Sequence, residues 1–306
     1  MTLSHAFFAV SQQPHTALNA LSAAGVRTVL WGVLVLATLS GHAACPSDEA
    51  VKAYLKDFGQ RRISAGFERG LSQADAECAR QKLVAKLPLY LGQPMGYKLG
   101  FTSAAAQQQF EVDGPQWGVM FNRNMVDIIA VLPANFGARP YFEADLLVEV
   151  KDEGLADART PLEALAHLES VVPFIELPDL MLEGAVKGRD LVAINMAFRG
   201  GVTGAEIPLQ AHQATADALA TMTVVMRDLK SGQELGRAPG SAIMGHPLNA
   251  AMHLAQALKA AGIRLKKGDM LSLGSFLPAK PTQSGQHIEV QYLGLPGNPA
   301  VTVEFN

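Results

Sequence analysis

The segment RPYFEADLLVEV, residues 139–150, constrains the fold more than any other stretch, because it reads as a strand with two chemically different faces. One face, taken at a period of two residues, is apolar and predicted to lie in the core: Phe142, Ala144, Leu146, Val148 and Val150. The other face carries the carboxylates of Glu143 and Asp145, about 6.6 Å apart at a rise of about 3.3 Å per residue. These carboxylates either face water or have a positive charge between them.

A third acidic residue favours the second alternative, a positive charge between the carboxylates. Glu176 lies in PFIELPD, residues 173–179, inside an apolar run predicted to be a buried strand over 171–177. An unpaired carboxylate there would cost several kcal/mol to remove from water, so buried carboxylates are paired or bind a cation. Three oxygen ligands of this kind suit a hard divalent ion, Mg²⁺ or Mn²⁺.

The composition indicates which kinds of binding partner the protein has. The 306 residues are 49% hydrophobic and 17% charged, which predicts one main domain with an extension. A formal net charge of −3 and the absence of any run rich in Lys or Arg argue against nucleic acid and anionic membranes as partners. A small-molecule ligand is favoured instead.

The N-terminal residues resemble a secretory signal. The apolar run VLWGVLVLATL, residues 29–39, is too short for a membrane span; Arg27 precedes it and small residues follow it. Gly41 and Ala43 fit the small-x-small cleavage rule. We therefore expect residues 1–44 to be removed, leaving a periplasmic or secreted protein with no stable membrane span.

Three alternatives stay open at this end of the chain. Residues 29–39 are an uncleaved anchor in one alternative, and translation begins near Val26 in another. In an oxidising compartment Cys45 and Cys78 either form a disulfide or remain two unpaired thiols.

Local patterns predict a helical segment over residues 45–90 and a larger domain over 91–306. The expected elements are helices over 48–58 and 72–87 with N-caps at Asp48 and Ser72, a short helix from Pro161 to about Glu169, a hairpin over 221–238, a helix from Pro247 to Gly262, and two strands in the tail. Strands outnumber helices and come with hairpins, which favours an α+β fold with a mixed or antiparallel sheet curled on itself.

Five segments, in this order, resemble the 2-keto-4-pentenoate hydratase group of the fumarylacetoacetate hydrolase superfamily. They are GYKLGFTS (96–103), EADLLVEV (143–150), PFIELPD (173–179), GHPLNAAMHLAQAL (245–258) and LSLGSF (271–276). The resemblance extends from about residue 50 to the C-terminus. It implies a mixed β-sheet roll of the superfamily's C-terminal-domain type with peripheral helices.

The resemblance also implies a divalent-metal site, with Mg²⁺ or Mn²⁺ held by Glu143, Asp145 and Glu176. Asp145 is one methylene shorter than the glutamate typical of the group. Members of the group bind the 1-carboxylate and 2-oxo groups of a short 2-oxo acid at the metal. They then tautomerise a dienol and add water, or they decarboxylate an oxalocrotonate-like acid.

Three further positions, Lys98, Ser275 and Asn195, match positions of the group, and each has a structural alternative. Lys98 is expected to serve as an acid/base or carboxylate partner, or is an ordinary snorkelling lysine. Ser275 lines the pocket or ends a strand, and Asn195 opens a loop over the site or forms a turn. His246 is expected to cap the helix that begins at Pro247.

Two departures from the group bear on activity. Gln116, in GPQWG, replaces an acidic residue and cannot take up a proton at neutral pH, although it can orient a water or a substrate oxygen. Phe198 and Arg199 replace a pair of small serines, which predicts a smaller pocket and an additional anionic group on the substrate.

The sequence therefore favours an exported, metal-dependent lyase acting on a short 2-oxo acid. The alternatives are an acylpyruvate-type C–C hydrolase, which would need a base that Gln116 does not supply, and a non-catalytic keto-acid-binding paralogue. Members of the group are commonly oligomeric, so the resemblance also favours a homo-oligomer.

Overall fold

The computed structural model describes residues 45–127 and 130–306, which belong to one compact unit. The predicted signal segment lies outside the described residues. The α-helices are α1 (Asp48–Gly59), α2 (Gln73–Val84), α3 (Pro88–Leu91), α4 (Ala104–Phe110), α5 (Pro161–Leu165), α6 (Gly188–Ala193), α7 (Gln213–Thr221) and α8 (Pro247–Ala260). Across the described ranges, no helix is both long enough and apolar enough to span a membrane.

The strands form two sheets. They are β1 (Pro94–Gly100), β2 (Gln116–Phe121), β3 (Met125–Asp127), β4 (Ala130–Leu132), β5 (Tyr141–Val150), β6 (Leu168–Pro178), β7 (Phe198–Thr203), β8 (Ile207–Pro208), β9 (Thr223–Asp228), β10 (Gln233–Pro239), β11 (Met270–Ser272), β12 (Lys280–Pro281), β13 (His287–Leu293) and β14 (Ala300–Phe305). A nine-stranded mixed sheet has the order β2-β1-β11-β5-β6-β7-β3, with β12 beside β5 and β8 beside β6. A five-stranded sheet has the order β10-β9-β13-β14-β4.

The large sheet is buried on both faces. The apolar face of β5 joins a core formed with the small sheet and α8, which includes Val148, Leu254 and Val301. The opposite face joins a second core with α1, α2 and α6, to which β5 contributes Leu147 and β6 contributes Phe174. Asp145 is also completely buried, so the carboxylate face of β5 does not face water.

The predicted elements are present, with differences at their ends. Ser47, not Asp48, is the N-cap of α1, because its hydroxyl accepts a hydrogen bond from the amide of Ala50. The helix predicted over 72–87 ends at Val84, and α3 follows a short turn. The helix that begins at Pro161 is one turn shorter than expected, because strand β6 already begins at Leu168.

A disulfide joins the N-terminal helices to each other, and a buried arginine fastens them to the large sheet. Cys45 and Cys78 form a disulfide, which resolves the alternative left open by the sequence. The Arg199 guanidinium lies 3.0 Å from Asp179, donates to the carbonyl of Phe58 in α1, and lies over the Phe58 ring. Arg199 therefore ties β7 to α1.

Removing the disulfide should destabilise the folded chain without altering its fold. The bridge closes a loop with a sequence separation of 33 residues, and chain-entropy arguments assign about 3.7 kcal/mol to a loop of this length. We expect replacement of both Cys45 and Cys78 by serine to lower the urea midpoint accordingly. Reductant should lower the midpoint of the natural chain and leave the double variant unchanged; equal midpoints for the oxidised chain and the double variant would contradict this expectation.

Candidate active site

Strand register brings two glutamates face to face. Glu143 of β5 is paired directly with Glu176 of β6 in the antiparallel ladder, and Asp145 follows two residues later on the same face. Like charges directly opposite each other on a sheet destabilise it. Glu176 and Asp145 are both 0% exposed and Glu143 is half-buried, so water relieves little of this repulsion.

Lys98 of β1 supplies the cation of this cluster. Its ammonium group is buried, forms an ion pair with Oε1 of Glu176, and donates a hydrogen bond of 3.0 Å to the carbonyl of Met196. An ammonium group has three donors, so one N–H remains for another partner. The structure therefore brings together Lys98, Glu143, Asp145 and Glu176, which the sequence had separated by up to 78 residues.

Asp145 is turned away from this ion pair by neighbours on the other side. Its Oδ2 accepts a hydrogen bond from the Ser272 hydroxyl, and its Oδ1 accepts from the amides of Gly274, at 3.0 Å, and Leu146, at 2.6 Å. Ser272 was missed at the sequence level, where Ser275 was chosen from the same segment. The available signal was its polarity between Leu271 and Leu273, which strand alternation places on the carboxylate face.

One lysine does not balance three carboxylates. Burial, together with the charge of Glu176, raises the pKa of Glu143 to about 8 and that of Asp145 to about 7. Burial also raises the pKa of Glu176, although Lys98 opposes this shift. The Oε2 atom of Glu176 is buried with no hydrogen-bond partner among the described residues.

The carboxylates do not form a metal cage in this conformation. Within residues 45–127 and 130–306, no three side chains of His, Cys, Asp or Glu are grouped so as to hold an ion. The contacts give the reason: the Lys98 ammonium lies against Glu176, and Asp145 is turned toward Ser272.

A strained segment covers the cluster. Asn195, Met196 and Ala197 all have positive φ angles, between 52° and 61°, which costs roughly 1–2 kcal/mol for each such residue. The Asn195 side chain holds the segment through hydrogen bonds of 2.7 and 2.8 Å to the backbone of Val119. Asn195 therefore holds in place the segment whose Met196 carbonyl accepts a hydrogen bond from Lys98.

Two glycines, one on β1 and one on β2, leave room for this cover on the sheet. A Cβ at Gly100 would lie 2.5 Å from the Met196 methyl carbon, and one at Gly118 would lie 2.8 Å from the Asn195 carbonyl oxygen. Real Cβ atoms do not make contacts this close. The cover therefore requires glycine at position 118, where the neighbour is backbone, more strictly than at position 100, where the neighbour is the flexible end of Met196.

Gln116 and Ser275 lie beside the cluster. Gln116 shares its strand face with Gly118, which is paired with Lys98, and its Oε1 accepts a 2.9 Å hydrogen bond from Gln73 of α2. The Ser275 hydroxyl donates to the carbonyl of Leu277, at 2.6 Å. The structure therefore gives Ser275 a backbone partner.

Arg199 and His246 have structural partners. Arg199 has structural partners in Asp179 and the Phe58 carbonyl, and its contact with an anionic group of the substrate stays a prediction. Nδ1 of His246 accepts from the amide of Leu248 at the start of α8, and Nε2 lies 3.0 Å from the Ala216 carbonyl. These partners require the neutral tautomer with its proton on Nε2, and they confirm the predicted cap.

Comparison with known proteins defines first a fold class and then a family. The structure superposes on 4-oxalocrotonate decarboxylase from Pseudomonas putida G7, solved with magnesium and adipate, with a TM-score of 0.72 over 84% of this chain and 95% of that one, at 23% identity. This likeness shows that the chain has the fold of that decarboxylase, and it confirms the predicted α+β architecture.

Sequence similarity gives the family. The chain is 29% identical over 260 residues to 2-keto-4-pentenoate hydratase 1 of Dechloromonas aromatica (strain RCB), covering 83% of this chain and 96% of that protein. It is 30% identical over 204 residues to 2-hydroxyhexa-2,4-dienoate hydratase of Comamonas testosteroni, covering 66% and 75%. No protein-family model matches. The chain belongs to the 2-keto-4-pentenoate hydratase group, which confirms the predicted hydro-lyase-like enzyme class.

The carboxylate cluster should make stability fall as pH rises when divalent ions are chelated. The folded chain holds a proton on Glu143 up to a pKa of about 8, against an ordinary value of 4.5. Between these values the folded state binds more protons than the unfolded state, so each rise in pH lowers the free energy of unfolding. Urea unfolding at several pH values between about 5 and 8 measures this slope.

Two variants test the origin of the slope. Glu143→Gln carries no titrating group and should flatten the decline. Glu304→Gln, an exposed change on β14, should leave the decline unaltered. An unchanged slope in Glu143→Gln would show that the decline arises elsewhere.

Proposed function

We propose that this protein is a divalent-metal-dependent lyase, of the hydratase or decarboxylase type, acting on a short 2-oxo or 2-hydroxydienoic acid. The observation that carries the proposal is the pairing of Glu143 with Glu176 beside Asp145, with one lysine to offset three carboxylates. The family relatives, which include 4-oxalocrotonate decarboxylase of Pseudomonas sp. (strain CF600), support the reaction class.

The residues present fit a divalent ion in charge and in donor type. Glu143 and Glu176 would hold it through carboxylate oxygens, and the unpartnered Oε2 of Glu176 is a ready donor. Asp145 would contribute the lone pairs that its hydrogen bonds leave free. To bind the ion, Glu176 must release the Lys98 ammonium. The double positive charge of the ion then takes the place of the single charge of the ammonium beside Glu176. When bound, the ion would neutralise the charge that develops on the enolate oxygen of a 2-oxo acid.

Lys98 has the role of proton donor and anion partner. Burial alone would lower its pKa, but the charges of Glu176 and Glu143 outweigh burial and raise the pKa. The ammonium therefore stays protonated at neutral pH, and its remaining N–H can bind or protonate a substrate oxygen or carbon. The Met196 carbonyl fixes the direction of this group from the covering segment.

The absence of an acid at position 116 weighs against the alternative of C–C hydrolysis. Gln116 offers no base to activate a water, and its Oε1 is already bonded to Gln73. The same residue supports the second alternative, a keto-acid-binding paralogue without turnover. Replacing Gln116 by aspartate tests the second alternative. A gain of hydratase turnover in Gln116→Asp would point to a binding module or an altered enzyme derived from a hydratase.

Titration calorimetry tests the metal site directly. We expect Mg²⁺ or Mn²⁺ to bind the metal-stripped protein and oxalate, a mimic of the enolate, to tighten binding. Glu143→Ala and Glu176→Ala should each abolish binding, because each removes an anionic ligand from a buried site. Glu304→Ala is the matched surface control. Absence of metal binding in the natural chain would overturn the proposal.

Export is part of the proposal. The Cys45–Cys78 disulfide supports it, since such bridges persist in oxidising compartments, as does the signal-like run over 29–39. N-terminal sequencing of protein recovered from the periplasm or medium should find a start at or near Cys45. Peptides from residues 1–25 in the mature protein would contradict it.

A further inference from the structure

Helix α2 directs a row of polar side chains at Gln116. Gln73, Glu77 and Arg80 lie at helical spacing on one side of α2. The Gln73 amide nitrogen is 2.9 Å from the Glu77 carboxylate and 2.9 Å from the Gln116 amide oxygen. The sequence suggested no role for these residues, because they lie in what was predicted to be a peripheral helical segment.

The carboxylate of Glu77 sets the direction of every hydrogen bond in this row. A carboxylate only accepts, so Gln73 must turn its NH₂ group toward Glu77. The second hydrogen of the same NH₂ group then points to Gln116, whose side-chain oxygen must accept this hydrogen bond. If the Gln116 amide were reversed, two NH₂ groups would face each other.

As a result, the Gln116 oxygen faces Gln73, and its NH₂ group faces the other side, where a ligand would lie. The nitrogen of this group lies 3.5 Å from the Gly114 carbonyl, which is a weak contact. Arg80 stands beside this position: it donates to the Trp117 carbonyl at 2.7 Å and its guanidinium lies 3.6 Å from the centre of the Trp117 ring. The charge of Arg80 offsets that of Glu77, its neighbour on the helix.

Gln116 lies on the same sheet face as Lys98. Lys98 is paired with Gly118, so Gln116 is two residues further along β2, or about 6.6 Å at the usual strand rise. A ligand whose 2-oxo end is at Lys98 and that extends along this face toward β2 would bring its other end near Gln116.

We propose that Glu77 and Gln73 fix the Gln116 amide as a hydrogen-bond donor, and that this donor selects 2-oxo acids carrying a second carboxylate at the far end. Gln116 is the residue that touches the ligand, while Gln73 and Glu77 are positioning residues. The inference rests on the proposed function, because it assumes that the 2-oxo end binds at the Lys98 cluster.

Two ligands of equal chain length test the selection. In the presence of Mg²⁺, calorimetry with 2-oxoadipate and 2-oxohexanoate compares a terminal carboxylate with a terminal methyl group. We expect the natural chain to bind 2-oxoadipate about tenfold more tightly, the effect of one hydrogen bond to a charged group. Gln116→Leu should remove most of this preference and leave the affinity for 2-oxohexanoate nearly unchanged.

A variant that exchanges Gln73 and Glu77 shows whether the orientation of the Gln116 amide, and not the packing of α2, sets the preference. Gln73→Glu combined with Glu77→Gln keeps the composition and charge of the helix. The carboxylate introduced at position 73 would draw the NH₂ group of Gln116, leaving its oxygen to face the ligand. The preference for 2-oxoadipate should disappear or reverse while the melting temperature stays the same. Glu49→Gln, an exposed change on α1, should leave the preference intact.

The outcomes separate this inference from the proposed function. Equal binding of both acids by the natural chain, or a preference retained in the exchanged variant, overturns the inference alone. Failure to bind Mg²⁺ and either acid overturns the proposed function and this inference with it.

Discussion

The cross-strand pairing of Glu143 with Glu176 is the constraint on which the rest of the site depends. Two carboxylates directly opposite each other, with Asp145 buried on the same face, cannot all be charged without compensation. Lys98 on β1 supplies part of it, and the raised carboxyl pKa values show that it does not suffice. The folded sheet therefore keeps protons on carboxyl groups that would be ionised in water, and a bound cation would favour their ionised form.

The surrounding structure holds this charged cluster away from water. Strand β5 is buried on both faces because the small sheet and α8 cover one side, and the N-terminal helices cover the other. The segment Asn195 to Ala197 closes over Lys98 in a strained backbone conformation, and glycines at positions 100 and 118 leave room for it. The disulfide and the Arg199–Asp179 pair fasten the helical layer that completes this enclosure.

Sequence patterns were most informative where a residue's role follows from its own strand or helix. The apolar alternation of β5, the cap at Ser72 and the helix start at Pro247 depend on contacts within a few residues, and each is present in the structure. The structural partners of Arg199 could not be read from its segment, because they are far away in the chain: the Phe58 carbonyl is 141 positions distant. Ser272 was missed for the same reason, since its partner Asp145 is 127 positions away.

By itself, the sequence determined that three acidic residues would lie in buried strands, that the chain would form an α+β fold, and that it resembled one enzyme group. These conclusions follow from local periodicity and from matched segments. Only the tertiary structure decided that Glu143 would lie opposite Glu176, that Asp145 would turn to Ser272, and that α2 would orient Gln116. The physical reason is that strand register and helix docking are set by the packing of distant segments, which no local pattern encodes.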